Sequence, residues 1–209
     1  MNYTHIVFDI DGTLLDNAEA LITSLQEVMM EEVGRLIPKE ELAFSMGMTG
    51  EDTLRRLQVK DVERSMKRWI ELLANYNHLV KVYDGIEELL KELKRQGCHL
   101  GIVSSKPREV YKNDFAPLPI AAYFETVVCA DDTTEHKPNA APLLKYMELT
   151  GAKAEEIFYV GDSDYDRQCA YNADIEFAAA AWNPKVAAIT LMQLREPNDL
   201  FDYVYEEIM

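Results

Sequence analysis

The 209-residue sequence is short of several things. It has no apolar run near the roughly 20 residues that span a bilayer, so a membrane span is not expected. Met1 to Asp9 carries no basic stretch followed by an apolar one, so no secretory leader is read there. Basic residues are scarce: 21 Lys and Arg stand against 37 Asp and Glu, a net charge of −16. Nucleic-acid binding needs basic surface to replace phosphate counterions, so nucleic acid and acidic membrane surfaces are excluded as partners. Only three cysteines occur, Cys98, Cys129 and Cys169, far apart and with no CxxC. They read as reduced, buried thiols of a cytoplasmic protein. Repeats and low-complexity tracts are also missing.

What is present is an α/β pattern. Short apolar runs end on polar residues: His5 to Phe8 before Asp9, Cys98 to Val103 before Ser104, Thr126 to Cys129 before Asp131, and Ile157 to Val160 before Gly161-Asp162. Ile175 to Trp182 is a fifth run. Continuous apolar strands separated by helical patterns predict a parallel sheet covered on both faces. Such sheets place ligands at the C-terminal ends of their strands. Crossover helices are expected after Asp84-Gly85 with a stop at Gly97, over 140–150 with a stop at Gly151, and after Asp164.

About ninety residues separate the first two strands, far more than a crossover requires. The excess reads as helical. Asp16 and Glu19 form a capping-box-like start, Pro38 opens a second helix, and 51–57 and 62–76 supply two more. The chain therefore divides into an α/β core, residues 1–15 and 81–209, and an inserted helical domain, residues 16–80. Trp69, Tyr76 and the methionines of the insertion read as its core rather than as a ligand site.

Four short segments carry chemistry. Asp9-Ile10-Asp11-Gly12-Thr13 follows the first strand, where alternate residues point opposite ways and Gly12 allows a turn. Two carboxylates this close call for a cation, and an oxygen-only ligand set favours Mg²⁺. Asp162 is suited to bind the metal and Asp166 to support the shell around it, while Asp164 reads as a helix cap. Ser104 and Ser105 offer hydroxyls and backbone N–H groups to phosphate oxygens. Lys137, set by Pro138, can offset the charge of phosphate and the crowded aspartates.

Read in chain order as DIDGTL (9–14), VSSK (103–106), HKP (136–138) and VGDSDYD (160–166), these segments resemble the haloacid dehalogenase superfamily over essentially the whole chain. The resemblance implies a Rossmann-like parallel sheet of order 5-4-1-2-3 with a small helical cap, closest to the phosphoglycolate phosphatase and β-phosphoglucomutase branch. It implies a phosphatase acting on a small phosphorylated metabolite, with Asp9 as nucleophile and Asp11 as acid and base. It further implies that Ser104 and Lys137 hold the phosphoryl oxygens, and that Mg²⁺ sits on Asp9, the Asp11 carbonyl and Asp162, with Asp166 behind. Asn17 and Ser105 depart mildly from the usual residues, and Asp174 stands where glycine is common. Asp tolerates the left-handed backbone better than most residues, so that turn can survive.

A mutase and a pyrophosphatase are the rival activities; a non-catalytic binding protein would need a broken motif, and none is broken. The segment 47–54 resembles the substrate loop of β-phosphoglucomutase, which has arginine where Gly50 stands and histidine where Leu21 aligns. Glycine offers a second phosphate no cation, which argues against the mutase. Gly50 is expected to face the leaving group.

Overall fold

The computed structural model describes residues 3–184, 186 and 190–204. Eight strands are present among them: β1 (His5–Phe8), β2 (Leu15–Asp16), β3 (Lys81–Val82), β4 (His99–Val103), β5 (Thr126–Val128), β6 (Ile157–Gly161), β7 (Glu176–Ala180) and β8 (Gln193–Leu194). Helices α1 (Ala18–Val33), α2 (Lys39–Leu42), α3 (Gly50–Arg56) and α4 (Val62–Leu73) lie between β2 and β3. Then come α5 (Ile86–Arg95), α6 (Arg108–Asp114), α7 (Ala141–Thr150), α8 (Asp164–Asn172) and α9 (Leu200–Val204).

The main sheet runs β5-β4-β1-β6-β7-β8, with every pair parallel. Counted among β1, β4, β5, β6 and β7 alone, the order is the expected 5-4-1-2-3. β8 extends the sheet at the β7 edge, a strand too short to show as an apolar run. Alternation along β1 explains why its sequence is apolar throughout. Ile6 and Phe8 enter the core on one face with Leu90, Leu100 and Phe158. Val7 enters the core on the other with Tyr146, Tyr159 and Cys169. Both faces are covered, as a parallel sheet requires. Emptying a fully buried position such as Phe8 would cost about 3–5 kcal/mol. All three cysteines are buried and unbridged.

Helices α1 to α4 hold a third apolar cluster of their own, around Leu25, Met29, Leu42, Leu54, Trp69 and Leu72. The two chain passages that connect these helices to the sheet pair with each other as an antiparallel ribbon, Leu15 against Val82 and Asp16 against Lys81.

Several local expectations change. The start of α1 is not a capping box: its N-cap is Asn17, which makes no side-chain cap bond. The Asn17 amide is drawn instead to Asp11, and Glu19 pairs with Lys39. Pro38 precedes α2 as its N-cap rather than lying in its first turn. Tyr76 is only half-buried, past the end of α4, and its hydroxyl donates to Glu27. Asp174 does take the left-handed conformation, with φ 58°.

Candidate active site

Strand register places the acidic residues together. Phe8 lies opposite Ile102 on β4 and Val160 on β6. Asp9, Ser104 and Asp162 therefore follow three adjacent strand ends. The Asp9 N–H donates to Val160 O at 2.9 Å and the Ser104 N–H to Val128 O at 3.0 Å, which carries the sheet's order one residue into the site. After Asp9 the chain turns at Gly12, φ +83°. A side chain here would strain the backbone, and its Cβ would fall 2.1 Å from Asp162 Oδ2. Glycine thus lets the Asp9 loop close onto Asp162.

Lys137 lies at the centre of one charge cluster. Its side chain is buried, with Nζ 2.8 Å from Asp9 Oδ1 and 2.6 Å from Asp166 Oδ1. Burial alone would lower this ammonium, but Asp166 and Asp9 hold it above its ordinary value. Asp9 moves the other way: burial, opposed by Lys137 and reinforced by Asp166 and Asp11, lifts it to about 7. Asp166 is also pushed up by burial, yet Lys137, Ser163 and Tyr159 together hold it below the ordinary carboxylate range. Its Oδ2 accepts from the Ser163 hydroxyl at 2.5 Å and the Ser163 N–H at 3.1 Å, and its Oδ1 from Tyr159 at 2.7 Å. The expected cap assignment is thereby corrected. Ser163 caps α8 and Asp166 completes its capping box. Asp164, the first residue of α8, bonds Arg167 and Gln168 instead, because the N-cap position before it belongs to Ser163.

Carboxylate oxygens of Asp9, Asp162 and Asp166 lie within 4.8 Å of one another. They differ in what they still lack. Both Asp166 oxygens accept protein donors. Asp162 Oδ1 is buried with no hydrogen-bond partner, and burial followed by Asp166 and Asp9 raises its carboxyl well above the usual range. A buried carboxylate oxygen without a donor, beside a second carboxyl group, is a pairing that a cation would satisfy. The residues fit a hard, oxygen-seeking divalent ion held through Asp9 and Asp162, with Asp166 occupied by its own donors behind them. Asn183 supports this side, donating to Gly12 O at 3.0 Å and lying 3.4 Å from Asp162 Oδ2.

Asp11 belongs to a second cluster. Lys106 Nζ lies 3.0 Å from Asp11 Oδ1 and 2.5 Å from Asp114 Oδ2. Lys106 is buried, and the two carboxylates overcome that burial and raise its ammonium. The sequence signals this residue only as the last letter of VSSK. Asp114 carries no signal at all, since it meets Lys106 only because α6 folds over the strand end. Tyr159 and Asn183 were equally hidden: one sits in an apolar strand, the other beyond the last long run.

A cavity of ≈ 70 Å³ opens beside Asp11 and Lys106. Ser105 and Gly50 line it, together with Leu21, Met66 and Trp69 from the helical insertion. The Ser105 hydroxyl donates to Gly47 O at 2.9 Å, so it ties the two halves of the chain together rather than pointing unengaged into the site. Trp69 serves its core and this cavity at once. It is buried, donates from its indole to Ser24 at 2.9 Å, and lines the cavity. Met46, Met48 and Met66 also line it, so the methionines are not purely core.

Comparison with known proteins bears on the same residues. A Caldanaerobacter subterraneus subsp. tengcongensis protein named as a candidate pyrophosphatase PpaX is 31% identical over 209 residues, all of this chain and 92% of its own. Pyrophosphatase PpaX of Bacillus cereus (strain G9842) is 30% identical over 205 residues, 97% of this chain and 93% of its own. The crystal structure of a candidate phosphoglycolate phosphatase from Lactobacillus plantarum superposes with a TM-score of 0.84 at 26% identity, covering 97% of this chain and 99% of that one. The sequence profile of the haloacid dehalogenase-like hydrolases matches residues 6–180, from the first strand of the sheet to the last residue of β7. The clustered strand-end aspartates with their buried lysines, the end-to-end relatives and this match agree, and the chain belongs to the haloacid dehalogenase-like hydrolases.

Proposed function

We propose that this protein is a Mg²⁺-dependent phosphatase that hydrolyses a small phosphate monoester through an aspartyl-phosphate on Asp9. The observation that carries this is the placement of Asp9: buried at the end of β1, 2.8 Å from Lys137 and beside the partnerless oxygen of Asp162. Phosphoryl transfer asks mainly for positioning and neutralised charge. When bound through Asp9, the Asp11 carbonyl and Asp162, Mg²⁺ would supply the positive charge that draws the phosphoryl oxygens towards the nucleophile. Lys137 holds the Asp9 carboxylate in place and, with Ser104, offers donors to those oxygens. Asp9 attacks phosphorus, the bond to the leaving oxygen breaks, and Asp11 gives that oxygen a proton. Water then attacks the phosphoryl group while Asp11 takes a proton back, and Asp9 is released. Lys106 and Asn17 both engage Asp11 Oδ1 and keep its carboxyl oriented for both steps.

Residues 16–80 act as a cap over this site, hinged at the β2–β3 ribbon. Closing it excludes water and admits small metabolites rather than proteins. The absence of cation at Gly50 and Leu21, both of which line the cavity, favours a phosphatase over a mutase. Pyrophosphate is the rival substrate, favoured by the name of the curated relatives. The chain has no helix long and apolar enough to cross a membrane among its described residues, in keeping with work on cytoplasmic metabolites. A screen of phosphorylated metabolites with and without Mg²⁺ tests the reading. Release of phosphate from at least one small ester, lost on chelation, is expected. No release from any ester, or full activity after exhaustive chelation, would refute it.

A further inference from the structure

The leaving-group side of the site is apolar, and its one cation is already engaged. Leu21, Met46, Met66, Trp69, Ile70 and Leu73 form the roof of the ≈ 70 Å³ cavity, and Asp11 and Lys106 lie on its floor. Lys106 is the single cationic side chain among the described residues that line it. Its ammonium is held between Asp11 at 3.0 Å and Asp114 at 2.5 Å, so it is already engaged by two carboxyl groups of the chain itself. Gly50 brings no side chain, and the space a Cβ would take there is filled by Met66, 2.6 Å away at Sδ.

We propose that the substrate's leaving group is a small, uncharged and largely apolar alcohol, so that the enzyme discriminates against carboxylate-bearing esters and pyrophosphate. This rests on the phosphatase reading above and narrows it to a substrate class. A carboxylate or second phosphate in this cavity would exchange water for mostly thioether, indole and aliphatic surface, where the polar side chains are Ser45, Ser105, already bonded to Gly47 O, and the Asp11–Lys106 pair. An uncharged alkyl group loses only water contacts it does not need. A cavity of ≈ 70 Å³ holds on the order of five waters, enough for a branched chain of about four carbons. Leaving a buried charged group unpaired costs enough to separate the two ester types by at least about tenfold in kcat/KM.

The measurement is kcat/KM with Mg²⁺ for isobutyl phosphate, for phosphoglycolate, which has nearly the same shape but ends in a carboxylate, and for pyrophosphate, with acetyl phosphate as a small common reference. Isobutyl phosphate is expected to exceed both anionic-tailed substrates by at least about tenfold. Met66→Lys should shift the phosphoglycolate-to-isobutyl ratio towards phosphoglycolate by a similar factor, and Met66→Gln, matched in length and uncharged, should shift it far less. If Met66→Lys does not give a cooperative thermal transition, Ile70→Lys, one turn along α4, carries the same test. Phosphoglycolate or pyrophosphate cleaved as well as isobutyl phosphate would overturn the inference and leave the phosphatase standing. Equal ratios in the Lys and Gln variants would overturn it too, by showing that charge is not what the cavity reads. If not even acetyl phosphate is cleaved, the phosphatase reading itself fails and takes the inference with it.

Discussion

The floor and the roof of the site are built from opposite materials. The floor is a run of strand ends carrying Asp9, Asp11, Ser104 and Asp162, braced by two buried lysines that each bridge two aspartates. The roof is a helical layer whose inner face is methionine, leucine, isoleucine and tryptophan. Charged groups packed this densely are costly to bury, and pairing offsets the cost only when the geometry is good. That demand makes the floor rigid, tied to the sheet by backbone bonds at Asp9 and Ser104. Apolar side chains make no such demand, and a roof of methionines can reshape around what it covers. The difference separates two tasks: the floor sets which reaction occurs, and the roof sets which alcohol leaves.

Substitutions in the floor should therefore hurt every substrate alike. Asp9→Asn should have the largest effect, a loss of about four powers of ten or more in kcat for all esters, because the amide is no nucleophile. Circular dichroism and thermal melting should show the fold retained, since Asp166 still pairs with Lys137. A uniform loss of less than tenfold would break the division between floor and roof. Asp11→Asn should follow, at about 10²–10⁴-fold in kcat, as expected for a lost general acid and base. Its loss should be smaller for esters of acidic alcohols such as p-nitrophenol, which leave without a proton. Equal losses for acidic and ordinary leaving groups would show that Asp11 is not the acid.

Substitution in the roof should act unevenly. Gly50→Arg must displace Met66, and it should lower kcat/KM for uncharged esters by about tenfold, the size of a lost methylene-scale fit or more. Anionic-tailed substrates should lose less or gain. No change in either would mean that this residue does not reach the leaving group.

The smallest expected effect concerns protons. Unfolded, Asp9 gives up its proton near the ordinary carboxylate value of about 3.9; folded and metal-free, it keeps it to about 7. Between these values Asp9 holds its proton in the folded but not in the unfolded chain, so its contribution to metal-free stability should fall as pH rises through that window. A divalent ion competes with the same proton. Mg²⁺ should thus raise the melting temperature more at pH 8 than at pH 6. An equal or reversed shift would place the metal away from Asp9 and Asp162.

The floor was far more legible than the roof in the amino-acid order. A strand run that ends in Asp9-x-Asp11-Gly12 states its geometry, because strand ends, sheet edges and turn glycines follow from local rules. The five long strands were visible for the same reason. Lys106 was readable only as part of a motif, and its partner Asp114 not at all, since their contact depends on how α6 packs. The start of α1 misled because Asp16 with Glu19 looks like a capping box, yet the N-cap is Asn17, whose amide goes to Asp11. Trp69 and Met66 read as core because nothing in a helical period distinguishes a buried face from one that lines a cavity. The two-residue strands β2, β3 and β8 were too short to carry a pattern.

The most direct measurement is rapid quenching of the wild-type protein during turnover of acetyl phosphate with Mg²⁺, followed by peptide mass spectrometry. A single phosphoryl group on the peptide containing Asp9, labile to base and hydroxylamine and missing in Asp9→Asn, is the expected result. Steady turnover with no phosphoryl group on Asp9 at any quench time, or with the group on another residue, would contradict a covalent route through Asp9.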